Sequence, residues 1–492
     1  MTRDPGLHDG AIQVDLRVPP AWAAQARFAF ETLAYRWMIP VRFSGHSNGA
    51  RVIYAPAPLA APPGAILLPF DPALYDPRTD CRARSQPETP PLWVRAGVQR
   101  EEEIDLVGGV YRLLTYQDEH RVPEASRDRR GTFPTSALPE ERFRLAAEPL
   151  VEHHARVLLG RILRAFPHLE GARIDRWPGG RRYALAPSHD ADAVHLGAAL
   201  ELLTNGTKWI LRRDSEHGAL LRLGLRWVGR KSTNPFFGFP VWKLWEGARG
   251  LRSAFYAYHR PPGTRGDLND VKSGLAGAGT DWRRLREMAD QGWEFGLHPS
   301  IRTRERPDGF SASKAWLEAH LRRPVHGLRH HYWALDWRDP IATHRQHQAA
   351  GFAYDSSIAW RDCAGFRAGT ALPYRPFDPV AGRSLDLVEI PCVLMDGQIL
   401  RKGPGGTRSD ERCALSLARA PVDRVLDCGG VLTVNWHQET AFNRLHYRGY
   451  LEMLDAIYRP ILESSEVWTA TPYQISLRWR ELTPLLLPDS AG

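Results

Sequence analysis

The stretch Tyr183-Ala184-Leu185-Ala186-Pro187-Ser188-His189-Asp190-Ala191-Asp192 decides how the rest of the chain is read. Its first half, YALAP, is an apolar run of strand length. Its second half sets His189, Asp190 and Asp192 where that run ends. One explanation is capping: aspartate is favoured ahead of a helix, and a helix is expected from near Ala193. The other is chemical. Two carboxylates this close can divide labour, one holding a divalent cation and the other taking a proton from water. The choice rests on what else the chain brings to the same place.

Working outward, the sequence from about residue 180 alternates short apolar runs with longer amphipathic ones. Candidate strands are 182–187, 253–258, 293–297, 325–328, 387–391, 431–436 and 467–469. Helix-like segments are 194–203, 282–291, 311–321, 340–350 and 447–462. This alternation predicts parallel strands joined by crossover helices, as a β/α barrel or a doubly wound sheet. His189, Asp190, Asp192, His259, His298, Arg329, His330, His331 and His437 all fall at or just after a candidate strand. In a parallel barrel those strand ends form one rim, and that rim carries the chemistry.

The chain ahead of this region reads differently. A helical stretch spans 21–35, and RVIYAPAP (51–58) and PLWVRAG (91–97) read as extended. Pro and Gly are dense between 55 and 92. Residues 124–142 are polar and read as a linker, and 143–166 carry helical apolar spacing. The expected organisation is an N-terminal α+β accessory domain over 1–123 and a linker and helical connector over 124–178. A barrel over 179–480 and a tail over 481–492 complete it.

Bulk properties narrow the function classes. At 492 residues the chain exceeds one ordinary domain. Its net charge of +9 is a basic surface, and no nucleic-acid-binding motif accompanies it. No apolar run approaches the roughly 20 residues needed to cross a bilayer. The opening MTRDPGLHDG lacks a secretory pattern, so a cytoplasmic protein without stable membrane insertion is expected. Cys81, Cys363, Cys392, Cys413 and Cys428 form no CxxC pair and are expected to be buried thiols.

Three further motifs carry candidate chemistry. In QGWEFGLHPS (291–300) a short strand presents His298, a normal transition-metal ligand beside carboxylates, unless it is a hydrogen-bonded loop residue. In VHGLRHHYWALDW (325–337) Arg329 is placed to orient a carboxylate, and His330 or His331 to face the pocket. Tyr332 and Trp333 offer a pocket-lining surface there. In VLTVNWHQETAFN (431–443) His437 follows a β-rich run and is placed to protonate a leaving group, or is a surface imidazole. Asp396 in VLMDGQIL is a lesser pocket candidate. Trp333, Trp337 and Trp360 are candidates for sugar stacking, against the commoner fate of Trp in a core.

The ordered set Asp-x-Asp, GWEFGLH, GLRHHY, GFAYDSS and LTVNWH resembles the polysaccharide deacetylase superfamily, the NodB-like proteins of carbohydrate esterase family four. The resemblance covers about residues 180–475 and looks closest to a divergent bacterial subgroup with an extra N-terminal domain. It implies a distorted (β/α)7 barrel that removes acetyl groups from amino sugars with a divalent metal, usually zinc. Carried over by position, the catalytic base is Asp190, the metal ligands are Asp192 and His298, Arg329 orients the base, and His437 assists the leaving group. Asp355 supports the rim.

One departure is serious. The family's second metal-binding His falls on Arg302, and a guanidinium cannot ligate a metal. Two ligands are too few for a catalytic zinc site. His189, His330 and His331 are candidates for the third, or it is missing. The third motif also has His-His-Tyr in place of the family's Pro and Gly. The expectation is a metal-dependent hydrolase acting on an N-acetylated carbohydrate. The alternatives are a catalytically degenerate carbohydrate or partner binder, favoured by Arg302, and a hydrolase of another non-peptide amide. The oligomeric state is left open.

Overall fold

The chain opens with strands β1 (Ile12–Leu16), β2 (Val41–Arg42), β3 (Ala50–Ala55) and β4 (Ala65–Pro69). They form a parallel sheet in the order β2-β1-β3-β4. Helix Pro20–Trp37 makes the first crossover and buries Phe28, Phe30, Leu33 and Trp37 at helical spacing. Strands β5 (Cys81–Gln86) and β6 (Thr89–Arg95) follow as an antiparallel hairpin. This is a computed structural model that describes residues 10–43, 50–56, 61–86, 89–128, 131–213, 215–229, 234–264, 270, 274–276, 280–400 and 411–490.

The second half is built on one parallel sheet. Its strands are β7 (Tyr183–Ala191), β8 (Ala254–His259), β9 (Glu294–Pro299), β10 (Gly327–Leu328) and β11 (Tyr354–Asp355). After a small hairpin, β12 (Phe377–Asp378) and β13 (Arg383–Ser384), come β14 (Val388–Glu389), β15 (Leu394–Met395), β16 (Val431–Asn435) and β17 (Val467–Thr469). The order is β14-β11-β10-β9-β8-β7-β16-β15, with β17 also pairing β7. The strands β7, β8 and β16 are buried at every residue, as a parallel sheet covered on both faces requires.

The sheet curls. Tyr256 on β8 and Tyr354 on β11 lie three strand steps apart, about 14 Å in a flat sheet. Their hydroxyls are 3.0 Å apart. The ends β14 and β15 do not pair, so the barrel is incomplete. All seven strands expected from the apolar runs are present. The two-residue strands at Tyr354–Asp355 and Leu394–Met395 are too short to show a period in the sequence.

Two expectations need correction. No helix starts near Ala193: β7 runs on to Ala191, because its edge toward β8 stays paired from Ser188 to Ala191, and the next helix is Ala199–Arg212. Asp190 and Asp192 therefore cap no helix. The boundary at 480 falls inside helix Pro472–Leu486, where Ile475, Trp479, Leu482 and Leu486 continue one buried stripe. Of the cysteines, Cys81 and Cys392 are buried, but Cys413 is exposed.

The N-terminal sheet and the barrel share one apolar core. Trp37, Tyr54 and Trp93 belong to the same buried cluster as Ala184, Tyr256, Tyr354 and Trp479. Tyr35 stacks on Trp479 with centroids 4.6 Å apart. Among the described residues, no helix is long and apolar enough to cross a membrane.

Candidate metal centre

Alternation along β7 explains the opening motif. Successive side chains of a strand point to opposite faces. Asp190 points into the barrel, toward Arg329 and Asn435. His189 points the other way. It stacks on Phe255, and its ring nitrogens meet Trp436 O at 2.6 Å and Glu246 Oε1 at 2.8 Å. Asp192 falls back on the inner side.

Three buried residues then converge. Ligand-type atoms of Asp192, His298 and His331 all lie within 4.8 Å of one another. His298 Nε2 is 3.2 Å from Asp192 Oδ1, and His331 Nε2 is 3.3 Å from Asp192 Oδ2. The tautomers follow from the outer contacts. His298 Nδ1 donates to Arg329 O at 2.6 Å, which leaves the Nε2 lone pair facing Asp192. His331 Nδ1 lies 2.7 Å from Asp270 Oδ1, with the same consequence for its Nε2.

Lone pairs aimed at a carboxylate across such gaps ask for a cation between them. His298 Nε2 is buried and makes no hydrogen bond. Two imidazoles and a carboxylate suit zinc or a similar transition ion, and three protein ligands leave a position open for substrate or water. The residues present therefore fit the group that the sequence implied. Of the three candidates for a third ligand, His331 of the third motif is the one that stands with Asp192 and His298. The other two candidates turn elsewhere: His189 as above, and His330 against Phe310 and His347. His330 is buried, which depresses its basicity. Arg302 lies on the turn after β9, with Nε 2.9 Å from Glu305 Oε1, outside the cavity.

Asp190 sits beside this group without joining it. Asn435 Nδ2 donates to its Oδ2 at 2.7 Å, and Arg329 Nη1 to its Oδ1 at 3.2 Å. Arg329 is fully buried, anchored on Ser356 and over the Tyr256 ring. Burial opposes its charge, yet Asp190 holds its pKa above the ordinary value.

A cavity of about 300 Å³ opens over these residues. Asp190, Asp192, His331, Tyr332, Trp333, Asp396 and His437 line it. His437 Nδ1 is 2.8 Å from Asp396 Oδ1, and its backbone N–H donates to Asp396 Oδ2 at 2.8 Å. Burial would lower the pKa of His437, but Asp396 outweighs it and holds the imidazole well above its usual value. Tyr332 and Trp333 both have positive φ, 58° and 54°, a strained pair that bends the third motif toward the cavity.

The remaining candidates lie outside. His259 stacks on Trp316 and its Nδ1 meets Ser313 Oγ at 3.0 Å. Trp337 and Trp360 are core residues packed around the Arg367 guanidinium. Asp355 accepts from Ser357 Oγ, and Ser357 Oγ accepts from His330 N at 2.9 Å, so it braces the third motif from behind. Asn435 and Asp270 are the residues that sequence reasoning missed. Asn435 stands two positions before His437 in the LTVNWH run. Asp270 has no motif around it.

No family model and no curated protein matches the chain. Solved structures similar to this chain include the following three. A chain assigned as a polysaccharide deacetylase from Mycobacterium smegmatis is 20% identical, with a TM-score of 0.42, over 62% of this chain and 92% of that one. The Puue allantoinase is 15% identical, with a TM-score of 0.41, over 63% and 94%. A chain assigned as a polysaccharide deacetylase from Pseudomonas aeruginosa PAO1 is 15% identical, with a TM-score of 0.39, over 62% and 94%.

Proposed function

We propose that the chain is a metal-dependent hydrolase that removes N-acetyl groups from an amino-sugar or polysaccharide substrate. The observation that carries this reading is the placement of Asp190. It is a carboxylate held by Arg329 and Asn435, beside a ligand triad and across a cavity from a charged imidazole. Amide hydrolysis needs those parts: a base, a Lewis acid and an acid for the departing nitrogen.

Asp192, His298 and His331 would hold the ion. When bound, it supplies Lewis acidity to the acyl carbonyl and to the attacking water. Asp190 takes the proton of that water. Arg329 and Asn435 hold one oxygen of Asp190 each and so fix the orientation of its carboxylate. His437, kept protonated by Asp396, gives its proton to the leaving nitrogen. Tyr332 and Trp333 present apolar surface to a sugar ring. The degenerate-binder reading rested on the absent ligand at Arg302, and His331 removes that reason.

The test is acetate release from N-acetylated amino-sugar oligomers by the zinc-loaded chain, with small cyclic amides as competing substrates. Release from the cyclic amides alone would move the chain to the other amide class. No turnover of either kind sinks the proposal.

Two variants probe the parts. Asp396→Asn removes the group that holds His437 protonated. His437 must carry its proton to act, so activity falls as pH rises through its raised pKa. The alkaline limb of the kcat profile should move to lower pH in the variant; an unmoved limb rules out His437 as the acid. Arg302→Ala should leave metal content and kcat within about twofold of the wild type, because surface substitutions rarely matter. Loss of metal in that variant would restore Arg302 to the site.

A further inference from the structure

A second group of ligand-type atoms lies outside the Asp192 centre. His344 Nε2 and one oxygen each of Asp355 and Glu389 fall within 4.8 Å of one another. Strand register places Asp355 beside Glu389 on β11 and β14. Tyr354, one residue earlier, points into the barrel at Tyr256, so Asp355 faces the opposite side. There helix Pro340–Ala349 lays His344 over both carboxylates. The three residues are 1%, 0% and 0% exposed.

The spacing is informative. His344 Nε2 is 3.4 Å from Asp355 Oδ2 and 3.4 Å from Glu389 Oε2. A charge-assisted hydrogen bond closes to about 2.7–2.9 Å. Two ligands about 2.0–2.1 Å from one tetrahedral ion stand about 3.3–3.4 Å apart. The Asp192 centre shows the same gaps, 3.2 and 3.3 Å. Neither His344 Nε2 nor Glu389 Oε2 makes a hydrogen bond, although both are buried.

Both carboxylates of the cluster carry outer contacts. Glu389 Oε1 accepts from Ile358 N at 3.1 Å. Asp355 Oδ1 accepts from Ser357 Oγ, and Oδ2 lies 3.1 Å from His347 Nδ1. His344 Nε2 and Glu389 Oε2 are left facing a common centre, and Asp355 Oδ2, which His347 also contacts, faces it with them; supporting contacts of this kind hold metal ligands in place. His344 also lines a cavity of about 380 Å³ with Tyr116, Pro340 and Phe377.

We propose a second divalent-cation site at His344, Asp355 and Glu389, structural in role and suited to zinc or an ion of like size. The imidazole nitrogen disfavours magnesium and calcium, which take oxygen ligands. The ion would tie the end strand of the open sheet, β14, to β11 and to the helix that covers them.

The competing occupant is a proton. Burial, with Asp355 alongside, pushes the Glu389 carboxyl up to about 8. Burial alone would lower His344, but the two carboxylates raise it to about 9. A cluster so protonated needs no ion, and the experiment must separate the two cases.

The measurement uses the full chain carrying His298→Gln and His331→Gln, which empties the first centre. The chain is stripped with chelator and titrated with Zn²⁺ and, separately, with Co²⁺. The expected result is uptake of one ion per chain, a visible Co²⁺ absorption band and a raised Tm. Adding His344→Gln or Glu389→Gln should abolish all three; where one of these does not fold, the other decides. No uptake by the folded double variant overturns the proposal, as does uptake that survives both additional substitutions. A wild-type chain whose one ion survives His298→Gln and His331→Gln keeps this site and removes the first.

Discussion

Asp190→Asn should lower kcat by about 10²–10⁴-fold, the range that a positioned general base contributes, while leaving bound metal at the wild-type level. The substitution keeps the shape of the side chain. An amide oxygen still accepts from Arg329, which donates to Asp190 Oδ1 at 3.2 Å in the native site. What is lost is the lone pair that receives the proton of water. KM should change little, because Asp190 is held by Arg329 and Asn435 before any substrate arrives. Acetate release and metal content measured on one preparation check this. Wild-type kcat in the variant would end the assignment of Asp190 as base. Loss of metal with activity would move it into the ligand set, an outcome that its 3.8 Å distance from His298 Nε2 argues against.

His331→Gln should abolish stoichiometric metal binding at the Asp192 centre, and kcat with it. Two ligands would remain, one short of the usual catalytic set. Asp270→Asn gives a graded companion. It removes the carboxylate behind His331 Nδ1 without removing the ligand, and should weaken metal affinity by about 10–100-fold. Chelator competition on both variants reads the difference. Equal metal affinity in His331→Gln and wild type would exclude the third motif as the ligand source. An unchanged Asp270→Asn would leave His331 a ligand but not one held by Asp270.

Much of the site was legible because it sits on strands. The period-two alternation in His189-Asp190-Ala191-Asp192 puts the two aspartates on one face, and strand β9 carries His298 next to its last residue. Periodicity could not choose between His330 and His331. That choice is made by backbone geometry at Tyr332 and Trp333, whose positive φ values no residue type announces. Asp270 was invisible for another reason: it enters from a connection between β8 and β9, far from any motif, and only the closed fold brings it to His331. The helix expected at Ala193 failed because pairing with β8, which runs to Ala191, outweighed the local preference of aspartate for a cap.

The apolar core common to the N-terminal sheet and the barrel bears on how such a chain can change over time. Trp479 of helix Pro472–Leu486 stacks on Tyr35 of helix Pro20–Trp37, so the N-terminal sheet's crossover helix and the barrel's Pro472–Leu486 helix pack as one. A barrel excised from this chain would present that surface to water, and a foreign N-terminal segment would not match it. Room for altered specificity lies instead in the loops above the strand ends, where lengthening costs little.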